Sequence, residues 1–558
     1  GNDFASLILG QVISGVRAIP TPEQHFHDSM FSVYGQDAIK VTNRLTVGLG
    51  LRYELPIYAV EDDGIMAPFD PTRPNPGAGG LPGALVFFGN GPGRSGNFNI
   101  FGKYHKSISP RVSIAYEANQ KTVLRLGYGL FRSYPNYGDL NNPNALVFAP
   151  GFGATPSVAS TNSGITPAFL LDEGFPASNV TVPNFDPSLN NGGTVTWINS
   201  SANKPALLQS WTLNVQRELP FNILLDAAYV GSHTTGLWAG LENINQVDPK
   251  YLILGNLLYA DINSPEAAAA GIKAPYSGFS GSVAQALRPF PQYTTIYDFY
   301  QPTGFGVYHA FQLRLQKRYT NGLSFLGSYT LSKNIGAVAG NTFGSWFGAG
   351  GLGSVNSYDR KIEKSLVSND RTHILTFSWT YELPFGKGKR FLANVNPVVN
   401  QFVGGWQFNA IQSYQSGAPV PVYGGGDIPL FGGGNRPNWV SSEARSSVSM
   451  GSFDPAKDVY LNINAFSQPD AFTFGNAPPR LPGVRTPASY GEDFSLFKKF
   501  YLKNELRYLE LRAEFFNLFN RVVFGYPSSD VNNPATFGFI YYQANTPRVI
   551  QFGMKLIF

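Results

Sequence analysis

The residues best suited to chemistry stand in two small polar clusters near the start of the chain. His25, His27 and Asp28 form an H-x-H-D run. Alternate strand positions point to one side, so the two imidazoles could ligate a metal at a loop rim, but a solvated strand entrance is the ordinary reading and we expect no metal site. Glu61, Asp62, Asp63 and Gly64 could hold calcium in a surface loop, yet their spacing is not that of an EF-hand, and a solvated acidic turn is the reading we favour. Gly91, Gly93 and Gly96 spell GxGxxG, but Pro92 interrupts them and no strand-to-helix unit surrounds them, which argues against dinucleotide binding. GKGK at 386–389 lacks the spacing and the hydroxyl residue of a phosphate loop and reads as a basic turn. No Ser, His and acid set stands out, and with no cysteine neither thiolate catalysis nor disulfides are available. We expect no enzyme and no cofactor. Loop aromatics such as Tyr293, Tyr297, Tyr300, Trp346 and Phe347 could stack on a sugar or peptide, or simply pack the loops, the reading we favour.

A second set of polar residues has a clearer structural setting. In Leu45 to Glu54, Leu45, Val47, Leu49, Leu51 and Tyr53 alternate with Thr46, Gly48, Gly50, Arg52 and Glu54. Such period-two alternation is the mark of a strand with one apolar and one polar face. The rule recurs around Arg125 in Lys121 to Arg132, around Arg314 in Phe311 to Gln316, and in Leu375 to Glu382, where Leu375, Phe377, Trp379 and Tyr381 oppose Thr376, Ser378, Thr380 and Glu382. Near the end, Leu509, Leu511, Ala513 and Phe515 oppose Glu510, Arg512 and Glu514. Burying three such charges in a soluble core would be prohibitive, so these strands must set their polar face against water. Arg52, Arg125, Arg314, Glu382, Glu510, Arg512 and Glu514 are the positions expected to face a lumen and to contact what passes through or plugs it. Lumen solvation and strand-to-strand pairing would explain them equally.

The composition agrees. Charged residues are only 14% of 558 and aromatics also 14%, with Gly (61), Phe (44) and Tyr (29) abundant. Mean hydropathy is nevertheless -0.11. No stretch approaches the run of about 18 to 20 apolar residues that a spanning helix needs. A lipid-facing barrel reconciles these facts, because its apolar side chains are spread by alternation. The net charge of +5 comes from scattered Lys and Arg with one dense group at Lys387, Lys389 and Arg390, and carries no nucleic-acid footprint. The opening GNDFASLILG has no basic segment followed by an apolar core and cleavage site, so the gene product is expected to extend upstream.

Connections alternate in length. The tight joins VTNR (41–44), ANQK (118–121), LPFN (219–222) and YTNG (319–322) carry turn residues, whereas segments 55–110, 133–208, 232–307, 334–371 and 416–488 are long and rich in Gly, Pro, Asn and Ser. One long segment has helix starts at Asp248-Pro249 and Ser264-Pro265. Counting alternating segments gives about fourteen strands, beginning with a partial match at Phe4 to Val12 and a clearer one at Phe26 to Lys40. If the tight joins are periplasmic, the last strand, RVIQFGMKLIF, runs down to the periplasm and the topology closes on itself, with Ile550, Phe552, Met554, Leu556 and Phe558 on a single face. An aromatic terminus on such a strand is similar to the signal by which outer-membrane barrels are recognised for insertion.

Several stretches resemble one family, the Oar-like branch of TonB-dependent outer-membrane transporters. They are FSVYGQDAIKVTNRLTVGLGLRYELP (31–56), RPFPQY (288–293), YHAFQLRLQKRYTNGLSFLGSYTLSKNI (308–335), YELPFGKGKRF (381–391), LRAEFFNLFN (511–520) and the terminal PRVIQFGMKLIF, spread over nearly the whole chain. The resemblance implies an all-β fold, a transmembrane antiparallel β-barrel of about 22 strands with long extracellular loops, of which this chain would supply about fourteen. It also implies a plug domain, a TonB-contacting box and a carboxypeptidase-regulatory-like domain, none of which is recognisable here, so residues 1–558 are expected to be the C-terminal portion of the barrel. The partners so implied are outer-membrane lipid, a TonB-type energy-transducing complex reached through the N-terminal region, and an unknown bulky solute, with no nucleic acid. The location implied is the bacterial outer membrane with a periplasmic C-terminus. The other readings are a passive channel or surface structural or adhesive barrel, and a soluble all-β binding protein, which would leave lipid-type faces exposed.

Overall fold

The computed structural model describes residues 3–558 except 100, 135–148, 178–179, 200, 238–241, 299–300, 338–353, 427, 429–433 and 503–506. Its centre is a single antiparallel sheet whose thirteen long strands follow one another in chain order. They are β1 (Phe26–Thr42), β2 (Leu45–Glu61), β3 (Ile108–Asn119), β4 (Thr122–Ser133), β5 (Ala206–Leu219), β6 (Ile223–Leu237) and β7 (Gly304–Thr320). Then come β8 (Leu323–Ala337), β9 (His373–Glu382), β10 (Trp406–Gln415), β11 (Ser489–Tyr501), β12 (Tyr508–Phe516) and β13 (Val549–Ile557). A stub, Ser365–Leu366, pairs with the end of β8. Most of these strands reach or exceed the roughly 9 to 11 residues a tilted strand needs to cross a bilayer. Among the described residues no helix is long and apolar enough to cross one, which says nothing of strands.

Two expectations change. The partial match at Phe4 to Val12 is not a barrel strand: Asp3–Ile8 is a helix, and Gln11–Val12 pairs instead with Phe169–Leu170. Phe4, Leu7 and Ile8 recur at helical spacing, and Gly10, at φ +63°, ends the turn. Nor does the sheet close on itself, because β1 and β13 do not pair with each other.

The tight joins at 41–44, 118–121, 219–222 and 319–322 each connect neighbouring strands of the sheet. Asn321 and Gly322, both at positive φ, form the two-residue turn whose twist suits adjacent antiparallel strands. The helix starts also hold: the Asp248 side chain caps a 3-10 helix over Pro249–Tyr259, and the Ser264 hydroxyl caps a short α-helix over Pro265–Ala269.

The long connections are not loose loops. Short strands from three of them, Phe69–Pro74 and Pro82–Leu85, Thr194–Trp197, and Glu242–Asn243 with Thr295–Asp298, make one five-stranded sheet in which Thr194–Trp197 runs parallel to both neighbours. Beneath it Phe69, Leu85, Phe87, Val195, Tyr293 and Ile296 form a buried core. A second core joins Val420, Leu461 and Leu481 of the β10–β11 connection to Val531, Phe537 and Ile540 of the β12–β13 connection. That last connection, 517–548, was not singled out in the sequence. The long connections thus form a packed cap at one end of the sheet.

Candidate functional site

Register decides where the seven predicted polar residues stand. Arg52 lies opposite Ser109 across β2–β3, Arg125 opposite Asn214 across β4–β5, and Arg314 opposite both Asp226 and Ser328. Glu382 faces Gln407, Gln407 faces Phe497, and Phe497 faces Arg512, a single row across four strands. Glu510 and Glu514 follow on β12 opposite Lys499 and Ser495. Side chains directly opposite one another share a face. Tracing these pairs strand by strand puts all seven on the same face, with Leu49, Leu51, Leu126, Leu213, Phe311 and Leu375 exposed on the other.

They are not one site. Arg52 bonds the Glu54 carboxylate at 2.8 Å and the Ser32 hydroxyl at 3.3 Å. Arg125 donates to Gln216 Oε1 at 2.6 Å and Arg314 to Gln316 Oε1 at 3.0 Å. Glu382 accepts from Lys389 Nζ at 2.8 Å and from the Tyr319 hydroxyl. Glu510 takes Arg512 at 2.6 Å and lies 3.9 Å from Lys499. Each guanidinium named here is paired along or between neighbouring strands, which makes a polar, water-compatible wall.

The two clusters read separately in the sequence meet in space. His25 Nδ1 lies 2.8 Å from Asp63 Oδ2, and His27 Nδ1 lies 2.7 Å from Asp62 Oδ1. The Asp63 hydrogen bond raises the His25 pKa above its ordinary 6.5. Glu61 is fully buried and spends its carboxylate on the backbone N–H groups of His25 and Ile65. Arg94, set among the GxGxxG glycines, donates to the carbonyls of Asp63 at 3.1 Å and Gly64 at 2.6 Å. These residues therefore brace the end of β1 and β2 against the cap. Among the described residues no group of three or more His, Asp or Glu side chains is arranged to hold a metal. Tyr293 is fully buried against Phe69, and Tyr297 sits in the cap sheet; Tyr300, Trp346 and Phe347 lie outside the described residues.

Sequence reading missed a buried ionic seam inside the cap. Arg436, 1% exposed, bonds Glu363 at 2.8 Å and the Ile362 carbonyl at 3.1 Å, joining the β10–β11 connection to the β8–β9 connection. Arg360 reaches Glu242 at 3.3 Å and so joins the β8–β9 connection to the β6–β7 connection. Glu242 stands directly across from Asp298. Burial raises its pKa from 4.5 to about 7, against the pull of Arg360 and with the push of Glu363 and Asp298. Arg485 binds Asp370, which lies just before β9 and accepts the Asn334 N–H near the end of β8, and Arg521 binds Glu492 at 3.0 Å. Nothing local announces partners so far apart in the chain; a Pro-flanked Arg in a Gly-rich stretch was the only available hint.

The outer membrane beta barrel domain family matches residues 1–551. The chain belongs to this family. Its exposed apolar face is therefore the outer-membrane lipid face of a barrel-type sheet, and its polar face the inner one. Among solved structures it is similar to the ferric-catecholate import receptor Fiu from K12 E. coli, at 11% identity and a TM-score of 0.37, over 96% of this chain and 45% of that one. It is also similar to the ferripyoverdine receptor of Pseudomonas aeruginosa, at 10% identity and a TM-score of 0.40, over 96% and 39%. The ferric citrate transporter FecA gives 11% identity and a TM-score of 0.39, over 96% and 46%. The chain spans less than half the length of each of these structures, and likeness at this level assigns it no ligand. No curated protein matches the chain.

Proposed function

We propose that this outer-membrane barrel chain forms the wall and outer cap of a TonB-dependent, Oar-like receptor that captures a bulky solute and passes it across the membrane with energy supplied from the inner membrane. The observation that carries the reading is the cap: within a family that matches nearly the whole chain, the long connections are joined into one body by a shared sheet, shared cores and buried ion pairs. A preorganised surface of that kind suits capture, since the ordering cost is met before the solute arrives. The cap side is read as extracellular and Phe558 as periplasmic. Among the described residues no strand pairs with the outer edges of β1 and β13, which supports closure against further strands, and the seven charged residues are the positions we assign to contact with a plug or with passing solute.

The test is uptake by cells carrying the complete gene, offered mixed pools of peptides, glycans and metal chelates, with and without collapse of the inner-membrane proton gradient. Accumulation that stops when the gradient is collapsed is the expected result. Accumulation that continues unchanged would make the barrel a passive channel.

A further inference from the structure

The segment joining β9 to β10, residues 383–405, is the long exception at the end of the sheet where the turns are short. It ends in a helix, α1 (Pro397–Val403), whose Asn396 side chain caps its start. The Gly386–Arg390 turn folds onto this helix through the Lys387 N–H to Asn400 Oδ1 bond at 2.7 Å, and Gln401 donates to the Tyr501 carbonyl at 2.7 Å, fastening the helix to the end of β11. Val398 and Phe402 are each 70% exposed, and Phe385, Phe391 and Leu392 are exposed beside them. The segment contains Lys387, Lys389 and Arg390 and no acidic residue. Lys389 is matched by Glu382; among the described residues, no ion pair to a carboxylate forms at Lys387 or Arg390.

Directly beside the helix is a buried cation on the wrong face for one. Lys498 is opposite Trp406 and Leu511, and Leu511 is opposite Met554, so its side chain belongs to the apolar, lipid-facing side. It is 5% exposed, donates to the carbonyls of Phe402 and Gly404 at the helix end, and lies 5.1 and 5.0 Å from the rings of Trp406 and Phe500. Two of its three donors are thereby used. Around it Phe402, Trp406, Phe500, Leu511 and Phe552 line a groove of about 280 Å³. A lysine held among aromatics next to hydrocarbon is tolerated only at the headgroup boundary, where its charge can be met. An apolar segment with a one-signed basic face lies in that boundary and draws anionic lipid.

We propose that segment 383–405 and the groove at Lys498 form a binding site for an anionic glycerophospholipid of the leaflet at the short-turn end, its acyl chain along Trp406, Phe500 and Phe552 and its phosphate met by Lys498 with Lys387 and Arg390. The excess of unmatched positive charge selects an anionic headgroup over a zwitterionic one. The site does not depend on whether the barrel transports anything.

The full chain in phosphatidylcholine nanodiscs, doped with brominated phosphatidylglycerol or brominated phosphatidylcholine, tests this through the emission lost on Trp406→Phe. Quenching of the Trp406 signal at about tenfold lower mole fraction of the brominated phosphatidylglycerol is expected. That preference should fall towards unity in Lys498→Met and in the double variant Lys387→Ala, Arg390→Ala, whose exposed side chains keep the test valid if Lys498→Met does not fold. Equal quenching by the two lipids, or a preference that survives the double variant, overturns the proposal. So does displacement of phosphatidylglycerol by inorganic phosphate alone, which would mark a free-anion site, or no Trp406-dependent quenching by either lipid, which would leave the groove to a protein partner.

Discussion

Replacing Arg436 with Ala should unlock the cap while leaving the sheet intact. Arg436 and Glu363 are both almost wholly buried and 2.8 Å apart. Deleting one member of a buried pair leaves the other charged and unpaired, which costs about 3 to 5 kcal/mol. Glu363 also accepts the Val355 N–H at 3.1 Å and lies near Glu242, so its stranded charge has few ways to relax. The cost should fall on the β8–β9 and β10–β11 connections, which the pair joins. Hydrogen exchange read by mass spectrometry on residues 354–366 should therefore lose about 3 to 5 kcal/mol of protection, or all of it if the local stability is smaller, while β7 and β8 are unchanged. The double replacement Arg436→Met, Glu363→Leu should recover most of the loss, because an apolar pair of similar volume avoids the desolvation cost. Unchanged protection in Arg436→Ala, or a loss spread evenly through the sheet, would refute the reasoning.

Three further outcomes follow from the same geometry. Glu242 is held protonated by burial to about pH 7, whereas the unfolded chain releases that proton near 4.5. Cap stability should accordingly decline as pH rises from about 4.5 to about 7, by at most about 3 kcal/mol, and level off above; Glu242→Gln should flatten the profile of exchange against pH. A Cβ at Gly475 would meet the Arg436 carbonyl oxygen at 1.7 Å, a backbone atom that cannot step aside, so Gly475→Ala should raise protease cleavage in the cap much as Arg436→Ala does. Leu213 is exposed on the apolar face in the middle of β5 and Thr212 points to the other. Leu213→Arg should cost about 2 to 4 kcal/mol in folding titrations in bilayers and Thr212→Arg much less, and equal costs would contradict the assignment of faces.

Much of this molecule can be read from its sequence because a strand's face is a local property. The two-residue period of LTVGLGLRYE or of LELRAEF places Arg52, Glu510, Arg512 and Glu514 on the polar side with no knowledge of the neighbours, and the Asn321-Gly322 turn determines where one strand ends and the next begins. The same local rule misleads at Phe4 to Val12, where a short apolar stretch fits two periods and the helix is the one adopted. What only the tertiary structure decided lies in the long connections. Gln246 and Ser357, Glu242 and Arg360, and Glu363 and Arg436 meet across separations that no periodicity records, and the clusters at His25 and Glu61 become a single brace only because β1 and β2 bring them level. Lys498 marks the limit most sharply. Alternation assigns it to the lipid face, where a lysine should not be, and only the helix that folds back over it shows where two of its donors go.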